Sequence, residues 1–196
     1  MALRLQTDAT CELVTMAEIK SHLRLSTVGT DEDTLLTAYV KTARKQAENL
    51  TKRSILKQVW KLTLDEFPSV IRVPRPPLSS TASEVVITFL DETSGDSTTL
   101  SSTGYTIDSE SEPARIYPSY GNSWPNTYGV PAAITVTYTA GSTISEVDED
   151  IKTWVKLRAG SLYENREAHA GVELYDLPRN FIDGLLDPHV IIEVLP

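Results

Sequence analysis

Apolar residues near the start of the chain fall on a helical beat. Leu36, Val40, Ala43, Ala47 and Leu50 recur at spacings of four, three, four and three, which sets them on one stripe of an α-helix, and Leu35 and Tyr39 widen it. Lys41, Arg44, Lys45 and Glu48 fall mostly off that stripe. The pattern predicts a long amphipathic helix over residues 30–53. Thr30 is the expected cap, Asp31, Glu32 and Asp33 suit the positive end of the helix dipole, and Lys52 and Arg53 suit the other end. Upstream, Thr15 and Glu18 spell a capping box, with Val14 and Ile19 placed as a hydrophobic staple. A short helix is therefore expected from Met16 to near Ser26, close enough to the long one to pack as a hairpin. Residues 1–12 show no clear period and read as an arm or loose lead-in.

After Arg53 the beat shortens to two. Trp60, Leu62 and Leu64 alternate with Val59, Lys61 and Thr63, and further strands are expected at residues 70–73, 84–90, 98–100, 105–107, 114–117 and 133–138. Pro74-Arg75-Pro76-Pro77, Thr93-Ser94-Gly95-Asp96, Gly104, Glu112-Pro113 and residues 121–125 supply the turns between them. Seven short strands at this spacing suggest a small antiparallel sandwich or barrel. The helical beat returns in Ile151, Trp154, Val155, Ala159 and Leu162, opened by Ser145, Glu146, Asp148, Glu149 and Asp150. A flexible stretch is expected at 168–176. Pro178 then suits the first position of a last short helix carrying Phe181, Ile182, Leu185 and Leu186, which Asp187-Pro188 would end. Residues 190–195 form an apolar, strand-like tail.

Helices at both ends of the chain carry stripes that need partners. With about 1.5–3 kcal/mol at stake for each large apolar side chain buried, packing the two ends together outweighs leaving them apart. The expected fold is α+β: a helical domain from residues 1–55 and 142–196, with an antiparallel β domain, 56–141, inserted between its halves.

Charge sharpens the picture. The 196 residues carry 18 basic and 27 acidic side chains, a formal net charge of −9. Residues 1–55 hold 8 basic and 7 acidic groups, 56–141 hold 5 and 9, and 142–196 hold 5 and 11. An acidic second half argues against nonspecific wrapping of nucleic acid, whose phosphates demand a basic face. It is compatible with an acidic surface lining a passage for DNA, where repulsion prevents sticking. Cys11 stands alone, which excludes an intrachain disulfide and a thiolate zinc cluster. The first ten residues lack the apolar run of a signal peptide, and no stretch approaches the roughly 20 apolar residues of a membrane span. A soluble, cytosolic chain with no membrane partner is expected.

Catalytic chemistry finds no foothold. His22, His169 and His189 are widely separated, in no ligand spacing, and no glycine-rich phosphate loop, G-x-S-x-G elbow or H-E-x-x-H helix occurs. The acidic runs at 31–33 and 146–150 sit at expected helix starts, where the dipole explains them, and neither has calcium-loop spacing. The opening helix pair is a poor helix-turn-helix, because its second helix is long and begins with three acids that would face phosphate. No enzyme activity, cofactor or metal is expected. The aromatic loop at 117–128, with Tyr117, Tyr120, Trp124 and Tyr128, reads either as a cover over one end of the β domain or as a binding loop for sugar or protein. The apolar tail either closes the chain's own sheet or adds to another subunit's edge.

Residues 13–25, Asp31-Glu32-Asp33-Thr34-Leu35-Leu36 and residues 47–55 resemble the head-tail connector (adaptor, or head-completion) proteins of tailed bacteriophages and prophages. Arg72-Val73-Pro74-Arg75-Pro76-Pro77-Leu78, Tyr120-Gly121-Asn122-Ser123-Trp124-Pro125, Val136-Thr137-Tyr138-Thr139-Ala140-Gly141 and residues 163–168 also resemble family segments. The order of segments carries the resemblance over residues 13–186. One departure is Lys52, where the family often has glycine in Thr-Gly-Arg. The resemblance implies a helical connector domain with a β insertion, made in the bacterial host cytoplasm and assembled in the virion neck as a twelvefold ring beneath the portal. Such a ring extends the DNA channel, with DNA only as passing cargo, and offers its far face to a stopper or tail-completion protein. In that setting Val190, Ile191, Ile192, Val194 and Leu195 are the expected contact to portal or neighbouring subunit, and Glu146, Asp148, Glu149 and Asp150 the expected channel-facing carboxylates. The alternative is a carbohydrate- or receptor-binding module built on the aromatic loop.

Overall fold

The computed structural model of the protein describes residues 1–26, 29–79, 84–165 and 183–191. The expected last helix at Pro178, with Phe181 and Ile182, and the expected flexible stretch at 168–176 lie outside these residues. In chain order the main elements are β1 (Ala2–Thr7), α1 (Met16–His22), α2 (Asp33–Thr51), β2 (Gln58–Leu64), β3 (Ile71–Val73), β4 (Val85–Leu90), β5 (Ser97–Thr99), β6 (Tyr105–Asp108), β7 (Ala114–Pro118), β8 (Ile134–Ala140) and α3 (Glu149–Glu164). The fold is α+β with antiparallel sheets. It divides into two compact units, Met1–Ala9 with Lys57–Ser142, and Thr10–Leu56 with Thr143–Pro196.

The first unit holds a five-stranded sheet in the order β1-β2-β8-β4-β5 and a three-stranded sheet in the order β3-β7-β6. Strict alternation builds it: along β8, Ile134, Val136, Tyr138 and Ala140 are buried while Thr135, Thr137 and Thr139 face the other way. Leu62, Ile87 and Phe89 from neighbouring strands meet Ile71, Val73, Ala114 and Ile116 of the smaller sheet in one core. Two phenols in that core reach backbone acceptors, Tyr138 donating to Pro74 O and Tyr105 to Val85 O, each at 2.8 Å. Each expected strand is present within one or two residues. Within residues 1–12 the structure adds a strand that the sequence showed no period for: β1 pairs with β2, Leu3 opposite Leu62 and Leu5 opposite Trp60. An edge strand needs only one partner, and the short alternation of Leu3 and Leu5 with Arg4 and Gln6 suffices for it.

In the second unit α2 packs against α3, and α1 contacts both. Ile19, Leu36, Val40, Ala43, Ala47, Trp154, Val155 and Ala159 of these helices are buried, with Leu186 only 2% exposed. α1 passes beside Gly160, where an added methyl group would make ordinary contact with Leu23 Cδ2 at 3.4 Å and His22 Nε2 at 3.6 Å. Thr15 and Glu18 form the capping box, Glu18 accepting from the Thr15 backbone N–H at 2.7 Å. Those two hydrogen-bonding groups of Thr15, hydroxyl first, hold the Glu18 carboxyl below its ordinary range.

The ends of α2 differ from expectation. Thr30 does not cap with its side chain: the helix starts at Asp33, Glu32 is its cap without a side-chain bond, and the Thr30 carbonyl accepts from the Asp33 N–H at 3.1 Å. Lys20 organises this turn instead. Its buried ammonium bridges the Gly29 carbonyl and the Asp33 carboxylate. At the other end Lys52 is left-handed, with φ 58° and ψ 23°, so it and Arg53 lie beyond the last turn rather than in it. Leu50, expected on the buried stripe, is 50% exposed, while Arg44, Glu48 and Thr51 are buried.

Candidate functional site

Two of the regions expected to act in assembly adjoin in the helical unit. Arg53 Nε donates to the His189 carbonyl at 2.6 Å, and the Ile191 N–H donates to the carbonyl of Thr51, the last residue of α2, at 3.1 Å. His189 Nδ1 lies 3.7 Å from the Asp148 carboxylate, at the cap of α3. With Leu186 buried, these contacts root residues 186–191 between the end of one helix and the start of another. Val190 is exposed and Ile191 half-buried at the point where the tail departs. Ile192, Val194 and Leu195 lie outside the described residues.

The four carboxylates expected to face a channel are all exposed. Their local duties differ. Glu146 accepts from the Thr143 backbone N–H at 2.9 Å and from its hydroxyl at 2.7 Å, a second capping box just ahead of α3. Glu149 pairs with Lys152 at 2.7 Å. Asp148 faces His189, and Asp150 completes the acidic first turn of α3.

A buried ionic cluster escaped the sequence pattern. Arg44 is 0% exposed, its Nε 2.9 Å from Glu12 and its Nη1 2.9 Å from Glu48. Burial alone would lower the guanidinium pKa, but the hydrogen bond it donates to Glu12 and the charges of Glu48 and Glu12 outweigh it and hold the group above its ordinary range. The i,i+4 spacing of Arg44 and Glu48 was visible. What closes over them, Glu12, lies 32 residues away in sequence.

In the β unit the aromatic loop is divided. Trp124 stacks on Phe67 with centroids 4.9 Å apart and planes 6° off parallel, and Phe67 meets Phe89 edge-on at 6.0 Å. Trp124 thus covers the core. Tyr120 is fully exposed and Tyr128 is 48% exposed. Among the described residues no group of three His, Cys, Asp or Glu side chains is placed to hold a metal, and no helix is long and apolar enough to cross a membrane.

Residues 14–111 match the family of phage gp6-like head-tail connector proteins. The chain belongs to that family. The connector chain is also similar in fold to solved structures. A chain from the neck of an empty gene transfer agent particle, computed with C6 symmetry, gives a TM-score of 0.78 at 23% identity, covering 100% of this chain and 98% of that one. A chain of the native gene transfer agent virion gives 0.77 at 22% identity, and one from the native neck computed with C12 symmetry gives 0.73 at 21%, both over the same shares of the two chains. No curated protein matches the sequence.

Proposed function

We propose that this connector is a structural neck protein that forms a ring adaptor between the portal and the tail or a stopper protein, extends the DNA channel and completes the head after packaging. The observation that carries the reading is the family match combined with a likeness in fold, over the whole chain, to chains from particle necks. The neck computed with C12 symmetry supports twelve copies in the ring. The apolar tail, beginning at Val190 and Ile191 and continuing through Ile192, Val194 and Leu195, docks on the portal or an adjacent subunit. The anchoring of Ile191 on Thr51 sets where that tail starts. Glu146, Asp148, Glu149 and Asp150 face the channel and keep passing DNA from adhering.

Inactivating the gene in its own phage or prophage tests the reading. Heads without tails, with DNA lost or leaking, are expected by electron microscopy. Intact, tailed, DNA-filled particles would overturn it. The exposure of Tyr120 favours one second reading, a carbohydrate- or receptor-binding module. Binding to a glycan array that disappears in Tyr120→Ala would favour it. Trp124 is a poor part of such a site, since one face of its ring lies on Phe67.

A further inference from the structure

The outer face of the five-stranded sheet has an unusual composition for an acidic chain. Strand register sets Ala2, Thr63, Thr135, Thr88 and Thr99 in one row across all five strands. The next row is Arg4, Lys61, Thr137 and Val86. These positions alternate with the buried Leu62, Val136 and Ile87, so they point away from the core. Val86 is 42% exposed, and Arg4 and Lys61 are exposed. The face is thus rich in β-branched residues, the charges at its strand positions are positive, and none of those positions is a carboxylate, in a chain of net charge −9.

Carboxylates of the same unit gather elsewhere. The end of β2 lies beside the start of β8, which lies beside the end of β4, so the turns after β2 and after β4 share one end of the unit. Those turns carry Asp65, Glu66, Asp91, Glu92 and Asp96 and no Lys or Arg. The loop leading to β8 joins them there: Thr127 bridges Asp91, and the Tyr128 N–H donates to Leu90 O at 3.0 Å. This end presents the exposed Tyr128 together with the acids.

We propose that the outer sheet face, through Arg4, Lys61, Thr137 and Val86, receives the acidic turn end, Glu66 and Glu92 with Tyr128, of a second copy of this chain. Charge selects the pairing. Two such faces meeting across a two-fold axis would bring Arg4 and Lys61 toward their own copies, whereas the turn end brings opposite charge and an aromatic ring to a face of threonine and valine. The contact is heterologous, the kind that repeats head to tail and closes into a ring. It rests on the ring reading above and adds which surfaces of the β unit meet.

The test is a charge swap in full-length protein made in its own phage or prophage. Arg4→Glu with Lys61→Glu, and separately Glu66→Lys with Glu92→Lys, are each expected to lower the yield of tailed particles about tenfold or more, since they bring like charges together at the contact. The four substitutions combined are expected to restore much of that yield. Thermal unfolding of each purified variant separates misfolding from failed contact. Variants that fold and assemble like the parent, or a combined variant no better than either pair, overturn the proposal. Deletion of the gene in the same background keeps the two readings apart: tailless heads on deletion with no effect of the swaps leave the neck role standing and remove only this contact.

Discussion

Arg44 shows most clearly what single residues contribute. A fully buried guanidinium is stabilised here by Glu12 and Glu48, which accept its hydrogen bonds, and removing it takes a buried cation away from both carboxylates. Arg44→Ala is expected to destabilise the protein by about 3–5 kcal/mol in denaturant unfolding. The helical stripe in the sequence did not place Arg44 or Glu48 inside, because their burial depends on a distant partner rather than on periodicity. Lys52 was partly legible. The resemblance marked it as standing where glycine is frequent, and the structure gives the reason in a left-handed backbone at φ 58°. Lys52→Gly is expected to stabilise by up to about 1 kcal/mol, read as a raised Tm; no change or a loss would contradict this. Tyr138 adds a pH dependence. Burial pushes its phenol above the ordinary value of 10.0, against the opposing charge of Arg75, so the neutral form is favoured in the folded state. Its contribution is intact below pH 10 and is lost as pH rises beyond that, and Tyr138→Phe should remove this part of the alkaline loss of stability.

Elements were the most legible level. Alternating strands in residues 58–140 and the stripe of α3 follow directly from the spacing of apolar positions, since a sheet or helix with one buried face imposes its period on the sequence. Ends were less so. The start of α2 is set by Lys20 reaching across from α1, which no local signal at Thr30 records. β1 was missed because its alternation is short and only its partner β2 turns it into a strand. Gly160, inside α3, has room for a methyl group at ordinary contact distances from Leu23 and His22, so Gly160→Ala is expected to raise stability by up to about 1 kcal/mol. A loss would mean that α1 sits closer than these distances. At α1, the lowered Glu18 pKa means that the capping box stabilises above the ordinary value of 4.5 and loses its effect as pH falls through the folded value. Glu18→Gln should flatten the acid limb of the stability profile while costing little of the fold.

At the scale of the molecule, the α+β fold was readable from the two hydrophobic periods and the family from the order of weakly marked segments, whereas the sheet face proposed to join copies was not. Assembly surfaces carry no periodicity of their own; the cationic sheet face emerges only when the register brings Arg4 beside Lys61. The tail lends itself to a test because the structure shows an anchor for it at Ile191. Truncation after Ile191 keeps the contacts to Thr51 and Arg53, and is expected to give a protein that folds with an unchanged Tm and is absent from purified necks. The most direct measurement is cryo-electron microscopy of the neck from particles that carry this chain. The account predicts a ring of this fold between portal and tail, its helical unit reaching the DNA channel. Density for the chain anywhere else on the particle, or its absence from the neck, would contradict it.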